Sequence, residues 1–240
     1  MDLDRSRIDA VFLDAGNTLV SMDFVLLGDM LAARGVSCTV ETLARAEAAA
    51  RPVLSRHLAS AAGPDGSGRT FLVYVRAILE ALGSDIDRDV LARRLVVDVR
   101  GVHTQRLWSR VLPGVPDALV RLRGAGLRLV VVSNSDGTVE EGLTALGLRQ
   151  HVDHVVDSAV VGVEKPDPAI FRHALALAGS APGRTVHVGD LYAVDVVGAR
   201  RAGLHAVLLD PHDDWTDVDC MRTPDLGALA DVLTPPTRRP

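Results

Sequence analysis

Four short apolar stretches, AVFLD (10–14), LRLVVVSN (127–134), TVHVGD (185–190) and HAVLLD (205–210), each stop at polar or glycine residues. Runs this short, rich in β-branched residues and apolar at nearly every position, are the pattern of strands buried on both faces, as in a parallel sheet. Parallel neighbours need crossovers, and helix-period segments lie between the later runs. Asp167 followed by Pro168 reads as an N-cap and first helical position, and Thr138 with Glu141 reads as a capping box. The succession of strand and helix predicts an α/β fold, a Rossmann-like parallel sheet with helices on both faces.

More than a hundred residues of different character separate the first two runs. Segments 24–34, 40–62, 70–82 and 89–107 are helical in period and rich in Ala, Leu and Arg, which predicts an inserted α-helical bundle. Within it GPDGSG (63–68) reads as a flexible connector, since no strand precedes it to make a phosphate loop. LPGVPDAL (112–119) returns the chain to the sheet through a Pro/Gly turn and a new helix, and the terminal TPPTRRP is expected to be disordered. The expected organisation is a core of residues 1–20 and 110–240 with a helical insertion over 21–109. At 240 residues and 48% hydrophobic, the chain can bury a sizeable core.

A net charge of −5 lacks the basic footprint of a nucleic-acid partner, so Arg93-Arg94 and Arg200-Arg201 read as solvated helix faces. Cys38 and Cys220 are too few for a disulfide framework or a metal cluster and are expected as reduced thiols. The stretch MDLDRSRIDA carries charges where a signal peptide needs an apolar segment, and no apolar run reaches the length of about 18 residues needed to span a bilayer. A cytoplasmic protein with no membrane partner is expected.

In an open parallel sheet, ligands bind beyond the carboxyl ends of the strands. Asp14 ends the first run, Ser133 and Asn134 the second, and Asp190 the third, while Lys165 stands in EKPDPAIF at the entry to a helix. Lys165 is the only lysine among 26 basic side chains, so one position has kept a compact point charge where arginine serves everywhere else. Asp14 and Asp190 supply hard oxygen ligands for Mg²⁺, which offsets the repulsion between an attacking carboxylate and an anionic phosphate. Ser133, Asn134 and Lys165 are placed to meet the oxygens of a transferring phosphoryl group.

These four segments, FLDAGNTL, VVVSN, KPDP and GDLYAVDVVGARRAGL, resemble in order the four motifs of the haloacid dehalogenase superfamily of hydrolases and phosphotransferases. The insertion is similar to that family's helical cap of the first class, which closes over the site and selects substrate. The resemblance implies Asp14 as nucleophile, Thr18 and Ser133 as phosphate-site donors, Lys165 as the cation and Asp190 as a metal ligand. It implies for Asp195 an additional or supporting metal-site carboxylate, the competing reading being a helix N-terminal acid.

One position departs from the pattern. Phosphatases of the family carry a second Asp two residues after the nucleophile, which protonates the leaving oxygen and later activates water; here that residue is Gly16. Its carbonyl still offers Mg²⁺ a ligand, but a contribution worth about 10² to 10⁴ in rate is missing. Three readings follow. Asp23, His57 or His103 takes over the role in a Mg²⁺-dependent phosphatase of a small phosphorylated metabolite; the chain is a 2-haloacid dehalogenase, a branch that also lacks that Asp; or it is a slow-turnover or non-catalytic phosphate-binding regulator. The intact Gly189-Asp190 pair favours a metal and the phosphatase. A phosphonate-cleaving branch needs a cap lysine, and Lys165 is the sole lysine. His187, between Val186 and Val188, reads as a core residue, and Arg45, Arg51, Arg56, Arg69 and Arg76 read mostly as solvated charges with the option of binding an anionic substrate tail.

Overall fold

The computed structural model describes residues 4–60, 66–83, 87–101 and 104–234. The chain divides into two compact units, Met1–Ser21 with Val111–Pro240, and Met22–Arg110.

The first unit is built on six parallel strands: β1 (Ala10–Leu13), β2 (Arg128–Ser133), β3 (His154–Asp157), β4 (Thr185–Gly189), β5 (His205–Leu209) and β6 (Met221–Thr223). Their order across the sheet is β3-β2-β1-β4-β5-β6. Every residue of β1 and β4 is buried, as the unbroken apolar runs require. Phe12 is in register with Val130 on one side and His187 on the other. The chain winds outward from β1 to β3 and then returns to the other side of β1, so the order reverses between β1 and β4. That reversal opens the crevice in which such sheets bind ligands, and it sets Asp14 beside Asp190.

Alternate residues of the central strands, Ala10, Phe12, Val130, Val132 and Val156, pack against Ile170, Phe171 and Ala174 of the helix Pro168–Ala178. That helix begins as its sequence demands: the Asp167 side chain accepts from the Ala169 N–H at 2.8 Å, Pro168 is the first helical residue, and Gly179 ends it at φ +63°. The capping box expected at Thr138 does not form. The Thr138 hydroxyl donates to Asp136 at 2.6 Å, and the Val139 N–H that opens the next helix is taken by Asp157, from the end of β3. Strands β3 and β6 were not expected from the sequence; they are short, partly exposed edges without the unbroken apolar signature.

The second unit is helical: Phe24–Ala32, Val40–Ser60, Gly66–Ala81, Arg88–Gly101 and Thr104–Leu107. Its third helix starts at Gly66, inside the stretch expected as a connector, while the remainder of that stretch and the 235–240 tail lie outside the described residues. Within this unit Glu47 and Arg51, one turn apart, form a buried bidentate pair with contacts of 2.8 and 2.6 Å. Arg51 is therefore not a solvated charge, whereas Arg45 and Arg56 are exposed and Arg76 pairs with Asp89 at 2.8 Å. Among the described residues no helix is long and apolar enough to cross a membrane.

Candidate active site

The Asp14 N–H donates to the Val188 carbonyl at 2.9 Å, extending the β1–β4 ladder by one bond and fixing the nucleophile candidate at the strand's end. The chain then turns tightly. Leu19 and Val20 both donate to the Ala15 carbonyl, and Asn17 takes φ +52°, a left-handed conformation that asparagine tolerates better than most residues. The turn aims the Asn17 amide at Asp190, whose Oδ2 it reaches at 3.0 Å.

Lys165 is buried, with its ammonium 2.6 Å from Asp14 Oδ1 and 2.7 Å from Asp195 Oδ1. Its backbone is clamped by Asn134, whose Nδ2 donates to the Lys165 carbonyl at 2.8 Å while its Oδ1 accepts the Lys165 N–H at 2.7 Å. Asn134 was expected to bind phosphate. Both of its amide atoms here bond the Lys165 backbone.

Asp195 sits in a π-helical turn, Tyr192–Val196, just after β4. Its Oδ1 accepts from Lys165 and lies 2.9 Å from His187 Nε2, and its Oδ2 accepts the Leu191 N–H at 3.0 Å. Both oxygens of Asp195 thus accept from protein donors, and the same carboxylate faces Asp14 and Asp190. The helix-terminus reading also has support, since Asp195 lies in the first turn of that helix and accepts the N–H of its N-cap residue, Leu191. The space the carboxylate fills exists because residue 189 is glycine: a Cβ there would lie 2.2 Å from Asp195 Cγ. His187, expected as core, is fully buried and packs edge-on against Phe171, yet it also touches this polar network. Its contact could have been anticipated only by knowing that the turn after β4 folds Asp195 back over the strand.

The protonation states follow from the packing. Burial pushes the Asp14 carboxyl above its usual range, against the pull of Lys165. Burial alone would lower the Lys165 pKa, but Asp14 and Asp195 outweigh it and the net shift is upward, so the side chain is an ammonium. Burial likewise opposes ionisation of Asp195, and Lys165 with His187 overcomes it, holding the carboxyl well below the usual range. His187 is pushed down by burial and is neutral at pH 7.

Asp14, Asp190 and Asp195 each present an oxygen within 4.8 Å of the others. Against these three carboxylates stands one ammonium. Thr18 is also buried, and its Oγ1 has no hydrogen-bond partner among the described residues; Ser133 is buried at the end of β2. The structure thus brings Asp14, Lys165, Asp190 and Asp195 together at one end of the sheet. Asp23 is a poor substitute acid: it caps the helix Phe24–Ala32, pairs with Arg110 at 2.9 Å and, although partial burial raises it, ends below the usual carboxyl range. His57 is half-buried in the last turn of the helix Val40–Ser60, and His103 lies outside the described residues.

The family model for haloacid dehalogenase-like hydrolases matches residues 8–203. The haloacid dehalogenase-like hydrolase domain-containing protein 3 of Mus musculus is 47% identical over 102 residues, which cover 42% of this chain and 40% of that protein. A phosphoserine phosphatase of Thermus thermophilus is 39% identical over 134 residues, 52% of this chain and 53% of that one. The chain therefore spans about half the length, or less, of these curated relatives. Among solved structures, the putative HAD-hydrolase YfnB of Bacillus subtilis, bound to magnesium, superposes with a TM-score of 0.64 at 19% identity, covering 95% of this chain and 99% of that one.

Proposed function

The chain belongs to the haloacid dehalogenase-like hydrolases, and from that premise we propose that it is a Mg²⁺-dependent phosphatase of a small phosphorylated metabolite, working through a phospho-aspartyl intermediate on Asp14. The observation that carries the reading is the charge balance of the crevice, where three carboxylates converge within 4.8 Å and Lys165 is their one ammonium partner. A bound phosphate would add to that negative charge, so a divalent cation is what the donor set calls for. The residues fit one: Asp14 and Asp190 are hard oxygen donors, with the Gly16 carbonyl on the same turn. When bound, Mg²⁺ screens the charge between the attacking carboxylate and the phosphoryl group.

The chain's own residues do the rest. Lys165 occupies Asp14 Oδ1, leaving Oδ2 as the attacking atom. Asp14 Oδ2 bonds to phosphorus as the leaving oxygen departs with its electron pair. Lys165 and the Thr18 and Ser133 hydroxyls hold the equatorial oxygens, which accounts for a buried Thr18 hydroxyl that has no partner among the described residues. Water then cleaves the acyl phosphate, releasing inorganic phosphate and returning Asp14. Gly16 offers the leaving oxygen no proton, so acyl and aryl phosphates, whose leaving groups are stable as anions, are the best substrates. In this reading the helical unit Met22–Arg110 is the insertion that sets specificity.

The test is phosphate and halide release from an acyl phosphate, an aryl phosphate, several sugar phosphates and a 2-halo acid, with Mg²⁺ or EDTA. Phosphate release that needs Mg²⁺ and vanishes in Asp14→Asn is expected. Retained activity in Asp14→Asn refutes the mechanism, and metal-independent halide release moves the chain to the dehalogenase branch.

A further inference from the structure

We propose that His187 is a positioning residue for phosphoryl transfer, acting through Asp195 to hold the Lys165 ammonium against Asp14. The inference rests on the phosphatase reading above and extends it to a residue in the middle of a strand.

His187 is 0% exposed, in register with Phe12 and flanked along β4 by Val186 and Val188. A side chain that only filled this space would be apolar. Instead it is an imidazole whose Nδ1 has no partner among the described residues, and an unpaired buried polar atom costs stability. What the ring offers in exchange is Nε2, 2.9 Å from Asp195 Oδ1. Both atoms there would be acceptors if Nε2 were bare, so Nε2 carries the proton and the bare Nδ1 is the orphan. The Phe171 edge contact, with centroids 5.0 Å apart and planes at 79°, fixes the ring plane.

Asp195 Oδ1 is shared. It accepts from His187 and from Lys165, while Leu191 N–H holds Oδ2. With both ends pinned, the carboxylate cannot rotate toward the lysine, and the ammonium stays bridged between Asp195 and Asp14. Without the imidazole N–H, Oδ1 is free to follow Lys165, and the ammonium drifts from the position where it meets the transferring group.

The test compares His187→Met, His187→Gln and His187→Asn in the full chain, by thermal melting and by kcat and KM for an aryl phosphate with saturating Mg²⁺. Glutamine places an amide N–H where Nε2 stands; asparagine places it where Nδ1 stands. His187→Met is expected to lose about 10- to 100-fold in kcat, the range seen for groups that orient ligands from behind, with KM within twofold. His187→Gln should recover most of that loss and His187→Asn should not. Wild-type kcat in a folded His187→Met, or equal loss in the methionine and glutamine variants, overturns the proposal in favour of packing. NMR of ¹⁵N-histidine-labelled wild-type protein tests it independently of any variant: a neutral ring protonated at Nε2 is expected, and protonation at Nδ1 refutes it. A wild-type protein that releases no phosphate from any substrate brings down the phosphatase reading itself, a result distinct from an active wild type matched by an active methionine variant.

Discussion

Replacing Gly189 by alanine tests whether the site depends on a missing side chain. The new Cβ would lie 2.2 Å from Asp195 Cγ and 2.5 and 2.6 Å from its oxygens. Carbon atoms settle at about 3.5 Å or more, so the carboxylate has to retreat by roughly 1 Å. That distance breaks its 2.7 Å contact to Lys165 or its 2.9 Å contact to His187. Overpacking costs about 1–3 kcal/mol, and one lost charge-assisted hydrogen bond costs about 1.5–3 kcal/mol. Together they come to roughly 2.5–6 kcal/mol, or a fall in Tm of roughly 5–24 °C at about 2–4 °C per kcal/mol for a chain of this size. The activity should fall by about 10²-fold, the effect of a misplacement of about 1 Å passed on through Asp195 to Lys165. Calorimetry and kcat on an aryl phosphate read the two losses. An Asp195→Ala background removes the three atoms nearest the new methyl, so Gly189→Ala should cost clearly less there, a coupling of the kind neighbouring sites show. A Gly189→Ala protein with wild-type Tm and kcat, or one that loses as much with Asp195 absent, refutes the packing argument.

Gly16→Asp should raise turnover on alkyl phosphates toward the roughly 10²- to 10⁴-fold that general acid catalysis supplies; unchanged steady-state rates would mean that another group already donates the proton. Asn134→Ala removes two hydrogen bonds from the Lys165 backbone, and at about 0.5–1.5 kcal/mol each it should lower the urea midpoint and kcat together, whereas a change in neither would dismiss the clamp. The His187 pKa lies below its unfolded value of 6.5 in the native state, so as pH falls the unfolded chain takes up the proton first. The stability associated with this neutral ring is complete above pH 6.5 and is lost on acidification, by at most about 1.4 kcal/mol per pH unit. Urea titrations in EDTA at pH 7.5 and 5.5 should show a smaller loss for His187→Gln than for wild type, and equal losses would contradict the assignment.

The central strands were legible because each is buried on both faces, which leaves an unbroken apolar run in the chain itself. The edges were not: HVVD at β3 and MRT at β6 are half in water and too short to carry a period. Asp14, Lys165 and Asp190 could be named because they end strands or enter a helix where topology converges them. The surroundings of Asn134, Asp195 and His187 could not be read from the sequence, for a shared reason. Each is decided by a partner between 8 and 31 residues away, Asn134 by Lys165 and Asp195 by Lys165 and His187, and such contacts leave no mark on local spacing. Thr138 failed in the same way, since Asp157, at the end of β3, supplies the acceptor that a local motif was expected to provide.

The central place of β1 has a consequence in time. Its two neighbours in the sheet are β2, which begins at Arg128, and β4, which begins at Thr185. At roughly 5–20 residues per second, the ribosome needs on the order of ten seconds after making Leu13 before the first of these partners emerges. Throughout that interval the VFL of β1 is a nascent apolar segment with no strand to pair with, while the helical insertion behind it is already complete and able to fold on local contacts. Asp14, the proposed nucleophile, is thus translated well before the strands that enclose it, and its segment stays exposed to chaperones and to mispairing in the interval.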